Sequence, residues 1–227
     1  MVECVTIEEI KLWLAEQLDE SGAKGFVVGL SGGIDSAVVA TLCKSICDET
    51  LGVIMPCHSN PKDKEDALLL AKKFNISTTE VDLTETYDIL KVALKDERVF
   101  PTIQPLDLAN IKPRLRMTTL YYFANKNNYL VVGTGNKSEE EMGYFTKYGD
   151  GACDILPIAD LLKDEIYALG FILELPSEIL DKEPSAGLWD NQTDENEMGM
   201  TYEQIGKVIR AREKSEHKRN PPRVFKR

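Results

Sequence analysis

Short apolar runs alternate along the chain with longer stretches in which apolar residues recur every three or four positions. The runs predict buried strands, and the amphipathic stretches predict helices that pack against them. The predicted strands are residues 25–30, 51–56, 78–83 and 129–133. The predicted helices are residues 7–20, 35–47, 62–74, 84–95, 108–125, 160–173 and 201–214. This order predicts one doubly wound α/β domain over residues 1–227, with a mainly parallel sheet and helices on both faces.

The segments between these elements are predicted to be irregular. Residues 97–107 contain two prolines and predict a loop, and Pro113 is expected to kink its helix or to mark the true start. The polar, glycine-bearing residues 135–154 have no clear period, and a loop of that length inside a compact domain is usually functional or mobile. Residues 183–199 predict an acidic linker.

The charge of the chain is uneven. Its 27 Lys and Arg stand against 38 Asp and Glu, and the formal net charge of −11 argues against a nucleic-acid partner. Residues 206–227 instead hold nine Lys and Arg and two Glu. Such a basic end is compatible with a solvated terminus, a nucleic-acid arm, or a mobile flap that brings positive charge to an anionic ligand. Charge alone favours the solvated terminus.

Neither a membrane span nor a signal peptide is visible in the sequence. No apolar stretch approaches the roughly 20 residues that a membrane-spanning helix needs. The N-terminal MVECVTIEEI is acidic where a signal peptide is basic and then apolar. The five scattered cysteines suit a reducing compartment better than a disulfide framework. We therefore expect a cytoplasmic protein without a membrane partner.

The strongest local signal is SGGIDS, at residues 31–36, between the first predicted strand and the helix that follows it. Its small residues let backbone N–H groups approach an anion, and the helix N-terminus adds a favourable dipole. The motif is not a Walker A loop, because the GK[ST] ending is missing and no lysine follows that could reach a γ-phosphate. The expected ligand is the pyrophosphate part of ATP, to which the Ser36 hydroxyl can contribute.

Asp35 is the acidic residue of this motif. A carboxylate at that position would repel phosphate unless a metal joined the two groups, so Asp35 is a candidate Mg²⁺ ligand. A simpler alternative is that Asp35 only caps the helix and that the glycines only form a tight turn.

Further motifs follow SGGIDS along the chain. They are IKPRLRM at 111–117, GTGNKSE at 133–139, GYFTKYGDGACDILPIADLLKDE at 143–165, PSAGLW at 184–189 and SEHKRNPP at 215–222. With these motifs the chain resembles the NAD synthetases, a family of N-type ATP pyrophosphatases with an adenine nucleotide alpha hydrolase-like fold. It departs from the family in being shorter between residues 201–205 and 215–219, and in having Gly187 where the family commonly has Asp.

The resemblance implies a reaction. Deamido-NAD (nicotinic acid adenine dinucleotide) would be amidated to NAD with ammonia, through an adenylated intermediate, and ATP would be converted to AMP and pyrophosphate. Such chemistry needs positioning and charge stabilisation but no protein nucleophile. The resemblance also implies a homodimer. Residues 1–24 are too few for a separate amidase domain, so we expect free ammonia rather than glutamine as the nitrogen source, unless a partner subunit delivers the ammonia.

The resemblance further implies roles for individual residues. The expected ATP contacts are Gly29, Leu30, Ser31, Gly32, Gly33, Ile34, Asp35, Ser36, Thr134, Lys163 and Ser185. The expected deamido-NAD contacts are Arg114, Lys147, Asp154, His217 and Lys218. The expected Mg²⁺ ligands are Asp35 and Glu139, and the expected catalytic residues are Asp35, Lys163 and Asp150. Asp150 would order its loop and accept a proton from ammonium. The basic end, residues 206–227, would be a flap that closes on the dinucleotide.

Other interpretations stay open at this stage. Without the resemblance, Arg114, Arg116, Lys147 and Lys163 would be solvated surface residues, and Glu139 would belong to an acidic run. A related enzyme could thiolate tRNA, with Cys57 and Cys153 as reactive thiols, or amidate a guanylate precursor. From another class, a regulatory module could hold ATP without turning it over. Glu139 together with Lys163 argues against such a module, because simple binding needs neither a second metal carboxylate nor a second phosphate-neutralising lysine.

Overall fold

The computed structural model describes residues 7–94, 106–189 and 192–216. Its strands are β1 (Gly25–Gly29), β2 (Thr50–Ile54), β3 (Ser77–Glu80) and β4 (Tyr129–Val132). Its helices are α1 (Ile7–Ser21), α2 (Ile34–Ile46), α3 (Pro61–Phe74), α4 (Thr84–Ala93), α5 (Leu106–Ala109), α6 (Ile111–Asn127), α7 (Lys137–Met142), α8 (Lys163–Ile172), α9 (Ser177–Leu180), α10 (Asp194–Met198) and α11 (Tyr202–Glu216). The predicted α/β fold is confirmed.

The four strands form one parallel sheet in the order β3-β2-β1-β4. From β1 the chain moves outward through β2 and β3, and then returns to the other side of β1 as β4. The strand order therefore reverses between β1 and β4. In open α/β sheets, ligands bind in the crevice beyond the carboxyl ends of the strands at such a reversal.

Helices cover both faces of the sheet because alternate strand residues point to opposite sides. In β1, Phe26 and Val28 pack in a core with α1, α2 and α8, whereas Val27 packs in a second core with α4 and α6. All three side chains are fully buried. A strand buried on both faces reads as a continuous apolar run, which is why the pattern predicted these strands well.

The polar segment 135–154 differs from its prediction as a loop, because residues 137–142 form α7. A capping box starts this helix: Asn136 Oδ1 accepts from the N–H of Glu139 at 3.0 Å, and Glu139 Oε2 accepts from the N–H of Asn136 at 3.1 Å. Gly143, with φ +67°, ends it. Such a short helix has no room for an apolar period, so only the capping residues could have revealed it.

The prediction of a linker over residues 183–199 is also wrong. This segment contains α10, and its Gln192 and Asp194 side chains are buried. Pro113 is the third residue of α6, so it marks the start of that helix. Of the predicted loop 97–107, residues 97–105 lie outside the described residues, and the last two belong to α5.

The first half of the basic C-terminal segment is docked on the body. Residues 206–216 belong to α11, where Arg210 pairs with Asp164 of α8 at 2.8 Å and Arg212 pairs with Glu141 of α7 at 2.6 Å. This part of the segment therefore differs from the mobile flap expected over 206–227. The second half, with His217 and Lys218, lies outside the described residues. None of the described helices has the length and apolarity that crossing a membrane requires.

Candidate active site

Three helix N-termini converge at the carboxyl edge of the sheet, where β1 and β4 are neighbours. The loop after β1 leads into α2, and the loop after β4 leads into α7. The first residue of α8 joins them, because the N–H of Lys163 donates to the Ser138 hydroxyl at 3.4 Å and the N–H of Lys137 donates to the Leu161 carbonyl at 2.9 Å. The reversal of strand order thus gathers residues that are far apart in sequence.

The SGGIDS loop between β1 and α2, called the glycine loop below, holds itself together through its serines. Ser36 Oγ donates to the Gly33 carbonyl at 3.0 Å and accepts from the N–H of Ser31 at 3.3 Å. Gly32 has φ +76°, and a Cβ there would lie 2.3 Å from the carbonyl oxygen of Asp63, so only glycine fits. The first N–H groups of α2 have no partner within the helix and are available to an anion.

Asp35 does not cap α2. The N-cap is Gly33, which makes no side-chain cap hydrogen bond, and Asp35 lies inside the first turn. The alternative interpretation of Asp35 as a capping residue is therefore wrong.

Asp35 instead belongs to a cluster with Glu139 of α7 and Lys163 of α8, called the charged cluster below. Lys163 Nζ lies 2.6 Å from Asp35 Oδ2 and 3.7 Å from Glu139 Oε1. The Lys163 side chain is 3% exposed, and those of Asp35 and Glu139 are 18% and 19% exposed. Asn136 Nδ2 donates to the other Asp35 oxygen at 3.0 Å. Three residues that the sequence predicted as site residues are thus in direct contact.

The electrostatics of this cluster leave it short of positive charge. Burial raises the pKa of Glu139 to about 8, and repulsion from Asp35 adds to the rise while Lys163 opposes it. Burial also acts to lower the pKa of Lys163, but attraction to Asp35 and Glu139 outweighs it and the pKa ends above its usual value. Lys163 therefore stays charged, and Glu139 holds a proton more readily than an ordinary carboxyl group unless a further cation arrives.

A third carboxylate, that of the buried Asp194, approaches the charged cluster from α10. Its Oδ2 accepts from the Tyr202 hydroxyl at 2.8 Å, and its Oδ1 accepts from the Tyr144 hydroxyl at 3.2 Å. The Tyr202 ring centroid lies 4.8 Å from Lys163 Nζ. Burial, Glu139 and Asp194 raise the pKa of Tyr202, so this residue stays a neutral donor. Sequence reasoning missed Asp194 and Tyr202, because Asp194 lies in the segment predicted as a linker.

The residues expected to bind deamido-NAD lie in part on the neighbouring loop 143–151. Arg114 of α6 is exposed, and its Nε and Nη2 lie 3.3 Å from the Lys147 carbonyl. The exposed Asp150 accepts from the N–H of Thr146 at 3.0 Å. Arg114, Lys147 and Asp150 are thus brought to one surface of the protein.

Asp154 and Arg116 point inward instead. The buried Asp154 accepts from the N–H of Val131 at 2.8 Å and from the Tyr121 hydroxyl at 3.3 Å. Arg116 donates to the Met55 carbonyl at 3.3 Å, so it is not the solvated residue that charge pattern alone suggested.

The remaining expected ATP contacts are Thr134 and Ser185. Thr134 is half-buried just after β4, and the exposed Ser185 accepts from the N–H of Gly187 through Oγ at 3.1 Å. Gly187 has φ +61°, a left-handed turn that glycine adopts without strain. This turn accounts for Gly187 at a position where an aspartate was the family expectation.

Comparison with known proteins places this geometry in a family. A sequence model described as NAD synthase matches residues 6–223. The chain belongs to the NAD synthase family. It is 50% identical to the NH(3)-dependent NAD(+) synthetase of Carboxydothermus hydrogenoformans, over 96% of this chain and 95% of that protein.

Solved structures give the same assignment of fold. The NMN synthetase from Francisella tularensis is 41% identical with a TM-score of 0.85, over 90% of this chain and 84% of that one. The NH3-dependent NAD synthetase from Campylobacter jejuni is 34% identical with a TM-score of 0.76, over 93% of this chain and 84% of that one.

The donor set of this NAD synthase family member fits a magnesium ion that is shared with a nucleotide. Within the described ranges, no group of three or more His, Cys, Asp or Glu is arranged to hold a metal by itself. Mg²⁺, however, commonly binds through one or two carboxylates together with substrate phosphates. Asp35 and Glu139 supply two carboxylates beside the glycine loop, and in the described part of the chain the cation that they share is Lys163.

Two cysteines that a thiolation enzyme would need are unsuited to that chemistry. Cys57 and Cys153 are buried. Burial raises the pKa of the Cys57 thiol, and it raises that of Cys153 to about 12. A buried, protonated thiol is a poor nucleophile, so neither residue supports thiol chemistry.

Proposed function

We propose that this chain is an ammonia-dependent NAD synthetase, which amidates deamido-NAD to NAD and converts ATP to AMP and pyrophosphate. The observation that carries the proposal is the charged cluster of Asp35, Glu139 and Lys163 at the glycine loop. The relative from Carboxydothermus hydrogenoformans bears the name of this activity at 50% identity.

The chemistry needs no protein nucleophile. A carboxylate oxygen of the substrate attacks the α-phosphorus of ATP, the bond from that phosphorus to the bridging oxygen breaks, and pyrophosphate leaves. Ammonia then attacks the acyl carbon, the bond from that carbon to the AMP oxygen breaks, and the new nitrogen loses a proton. The protein must position the reactants and stabilise the negative charge that develops.

ATP would bind to the groups around the glycine loop. Residues 29–36 would hold the phosphates with backbone N–H groups and the Ser36 hydroxyl, while Thr134 and Ser185 would contact the nucleotide from its flanks. Asp35 and Glu139 would hold Mg²⁺, which supplies positive charge to the phosphates when bound. Lys163 would add a fixed positive charge in the low-dielectric part of the site.

Deamido-NAD, which accepts the ammonia nitrogen, would bind at the surface beside loop 143–151. Arg114 and Lys147 would give positive charge to the phosphates of deamido-NAD, and Asp150 would take a proton from the incoming ammonium. Asp154 would contribute from beneath this surface. His217 and Lys218 stay proposed deamido-NAD contacts on the basis of their motif alone.

We also propose that the chain acts as a single cytoplasmic domain that pairs as a homodimer. Support for the dimer comes from apolar side chains exposed on α4, α5 and α6, which are Ile89, Val92, Leu106 and Tyr122. Val92 is 77% exposed, α4 and α5 both pack beside α6, and exposed apolar surface commonly marks an interface. Sedimentation equilibrium should give twice the chain mass, and Val92→Glu should reduce it; a wild-type monomer would refute the pairing.

The activity is tested by supplying deamido-NAD, ATP and Mg²⁺ with either ammonium or glutamine, and by measuring NAD and pyrophosphate together. We expect equimolar NAD and pyrophosphate with ammonium only. Asp35→Asn should lose turnover, whereas Asp48→Asn, which removes an exposed carboxylate paired with Lys44, should not. Full activity of Asp35→Asn would contradict the role of the charged cluster.

A second substrate belongs in the same assay, because the similar protein of known structure from Francisella tularensis is an NMN synthetase. Nicotinate mononucleotide is offered in place of deamido-NAD. Preferential formation of nicotinamide mononucleotide would keep the reaction but change the substrate. Pyrophosphate release with neither amide product would contradict the proposed function.

A further inference from the structure

Lys182 connects three parts of the chain beside the glycine loop. Its Nζ donates to the Gly32 carbonyl at 3.2 Å, to Asp63 Oδ1 at 2.7 Å and to Asp66 Oδ2 at 3.0 Å. Gly32 belongs to the loop, the two aspartates belong to the start of α3, and Lys182 lies between α9 and Ser185. A single ammonium group therefore uses its three N–H bonds on groups that surround the glycine loop.

The contact with Gly32 fixes the direction of one peptide group. A peptide unit is planar and trans, so the Gly32 carbonyl and the Gly33 N–H point in opposite directions. Gly32 has φ +76° and packs directly on the backbone of Asp63, which would lie 2.3 Å from a Cβ at that position. By holding the carbonyl on the α3 side, Lys182 keeps the Gly33 N–H on the other side of the loop, where it donates to the Ser31 hydroxyl at 3.2 Å and so fixes the turn.

The contacts with Asp63 and Asp66 place the positive charge of Lys182 next to two carboxylates. The Asp66 side chain is 1% exposed, and its two oxygens lie 3.0 Å from Lys62 Nζ and 3.0 Å from Lys182 Nζ. Without Lys182, Asp63 and Asp66 would leave excess negative charge next to the glycine loop. In a partly buried setting that charge would repel a phosphate ligand with little screening.

We propose that Lys182 is a positioning residue for ATP: it holds the glycine loop in its phosphate-binding conformation and cancels the charge of the two aspartates behind it. The inference rests on the proposed function in taking ATP as the ligand of this loop. Lys182 also lies three positions before Ser185, so it anchors the segment that carries another expected ATP contact. We therefore expect changes at Lys182 to alter the affinity for ATP and not the affinity for deamido-NAD.

The test compares Lys182→Met with the matched control Lys64→Met, which removes an ion pair between Lys64 of α3 and Glu80 without touching the loop. Binding of MgATP is measured by isothermal titration, and the KM values for ATP, deamido-NAD and ammonium are measured by NAD formation. Lys182→Met should raise the Kd and the KM for ATP about tenfold or more, because it removes hydrogen bonds of a charged donor. The other two KM values should stay within about twofold of wild type.

Conservative variants separate positioning from simple support of the fold. Lys182→Arg keeps the charge and should recover most of the ATP affinity, whereas Lys182→Gln keeps only a neutral donor and should recover less. A lower melting temperature with unchanged ATP affinity would overturn the proposal, and so would equal changes in all three KM values. If Lys182→Met does not fold, the ratio of ATP affinities between the Arg and Gln variants decides the question.

The titration keeps this inference separate from the proposed function. A wild-type protein that binds ATP but forms no NAD would contradict the synthetase assignment, while the Kd ratios would still test Lys182. A wild-type protein that binds no ATP would overturn both.

Discussion

The substitution Lys163→Met tests the charged cluster most directly. It removes the buried cation that contacts both Asp35 and Glu139, and it leaves these two carboxyl groups facing each other around a methionine of similar length. The ammonium is 3% exposed and lies 2.6 Å from Asp35 and 3.7 Å from Glu139, so nothing else in the cluster replaces its charge. We expect the variant to lose stability and turnover together.

The size of the stability loss follows from distance and burial. At about 4 Å and an effective dielectric constant of about 20, two full charges attract each other by roughly 4 kcal/mol, and the desolvation of the lysine offsets much of this attraction. Removing one partner of a buried pair typically costs about 3–5 kcal/mol. The carboxylates retain 18% and 19% exposure, and Glu139 can take up a proton, so we expect about 3 kcal/mol, at the low end of that range.

Urea unfolding of wild type and variant, with EDTA and then with Mg²⁺, measures this loss. Mg²⁺ should return more stability to Lys163→Met than to wild type, because the variant has two uncompensated carboxylates to offer. NAD formation should fall by about 100-fold or more, as expected when a fixed charge is removed from a reaction centre. Lys207→Met is the control, because its ion pair with Glu203 is exposed and should contribute less than about 1 kcal/mol.

Two results would refute this reasoning. A loss of stability no larger than that of Lys207→Met would mean that Lys163 does not compensate the carboxylates. An equal response of both proteins to Mg²⁺ would mean that the ion does not bind at Asp35 and Glu139.

Three further predictions concern neighbouring groups. Burial raises the pKa of folded Glu139 from 4.5 to about 8, so the metal-free wild type loses stability as the pH rises between these values. The melting temperature of Glu139→Gln should therefore rise relative to that of wild type from pH 5 to pH 8, while the variant loses turnover. Gly32→Ala should weaken ATP binding by roughly tenfold or more, because the Cβ of the new alanine would lie 2.3 Å from the Asp63 carbonyl oxygen. Gly22→Ala, with φ +64° and no atom within 4 Å of the new Cβ, gives the cost of the left-handed backbone alone. Cys153→Ala should keep its turnover. In the wild type, alkylation at pH 8 followed by mass spectrometry should find Cys153 unmodified, because its thiol is buried and burial raises its pKa to about 12. Rapid alkylation would contradict this.

The elements that the sequence predicted best are those with a long, regular pattern. The strand around Val27 is apolar without interruption because both its faces are covered, and α2 follows a glycine motif that marks its start. The glycine loop was predictable for the same reason, because strand, turn and helix are contiguous in sequence. Its geometry depends mainly on neighbours a few residues away.

The parts that the sequence did not predict depend on contacts between distant segments. Asp194 reaches the charged cluster only because α10 packs near α11, and nothing in residues 183–199 has a helical or strand period. Lys182 lies 150 positions from Gly32 in the chain, so no local pattern could connect them. Helix α7 was missed because its signal is a capping box rather than an apolar period.

The fold and the charged cluster together explain why a strongly acidic protein can bind two anionic substrates. The N-termini of α2, α7 and α8 meet at one crevice at the edge of the parallel sheet, where the helix dipoles and the first N–H groups of α2 favour an anion. The carboxylates in that crevice are matched by too few fixed cations, as the raised pKa of Glu139 indicates. That shortage destabilises the empty site and favours any ligand that arrives with its own positive charge. A nucleotide accompanied by Mg²⁺ satisfies both requirements, since its phosphates meet the N–H groups and its metal meets the carboxylates. A free anion without the metal satisfies only the first, so we expect the site to prefer the metal-bound nucleotide.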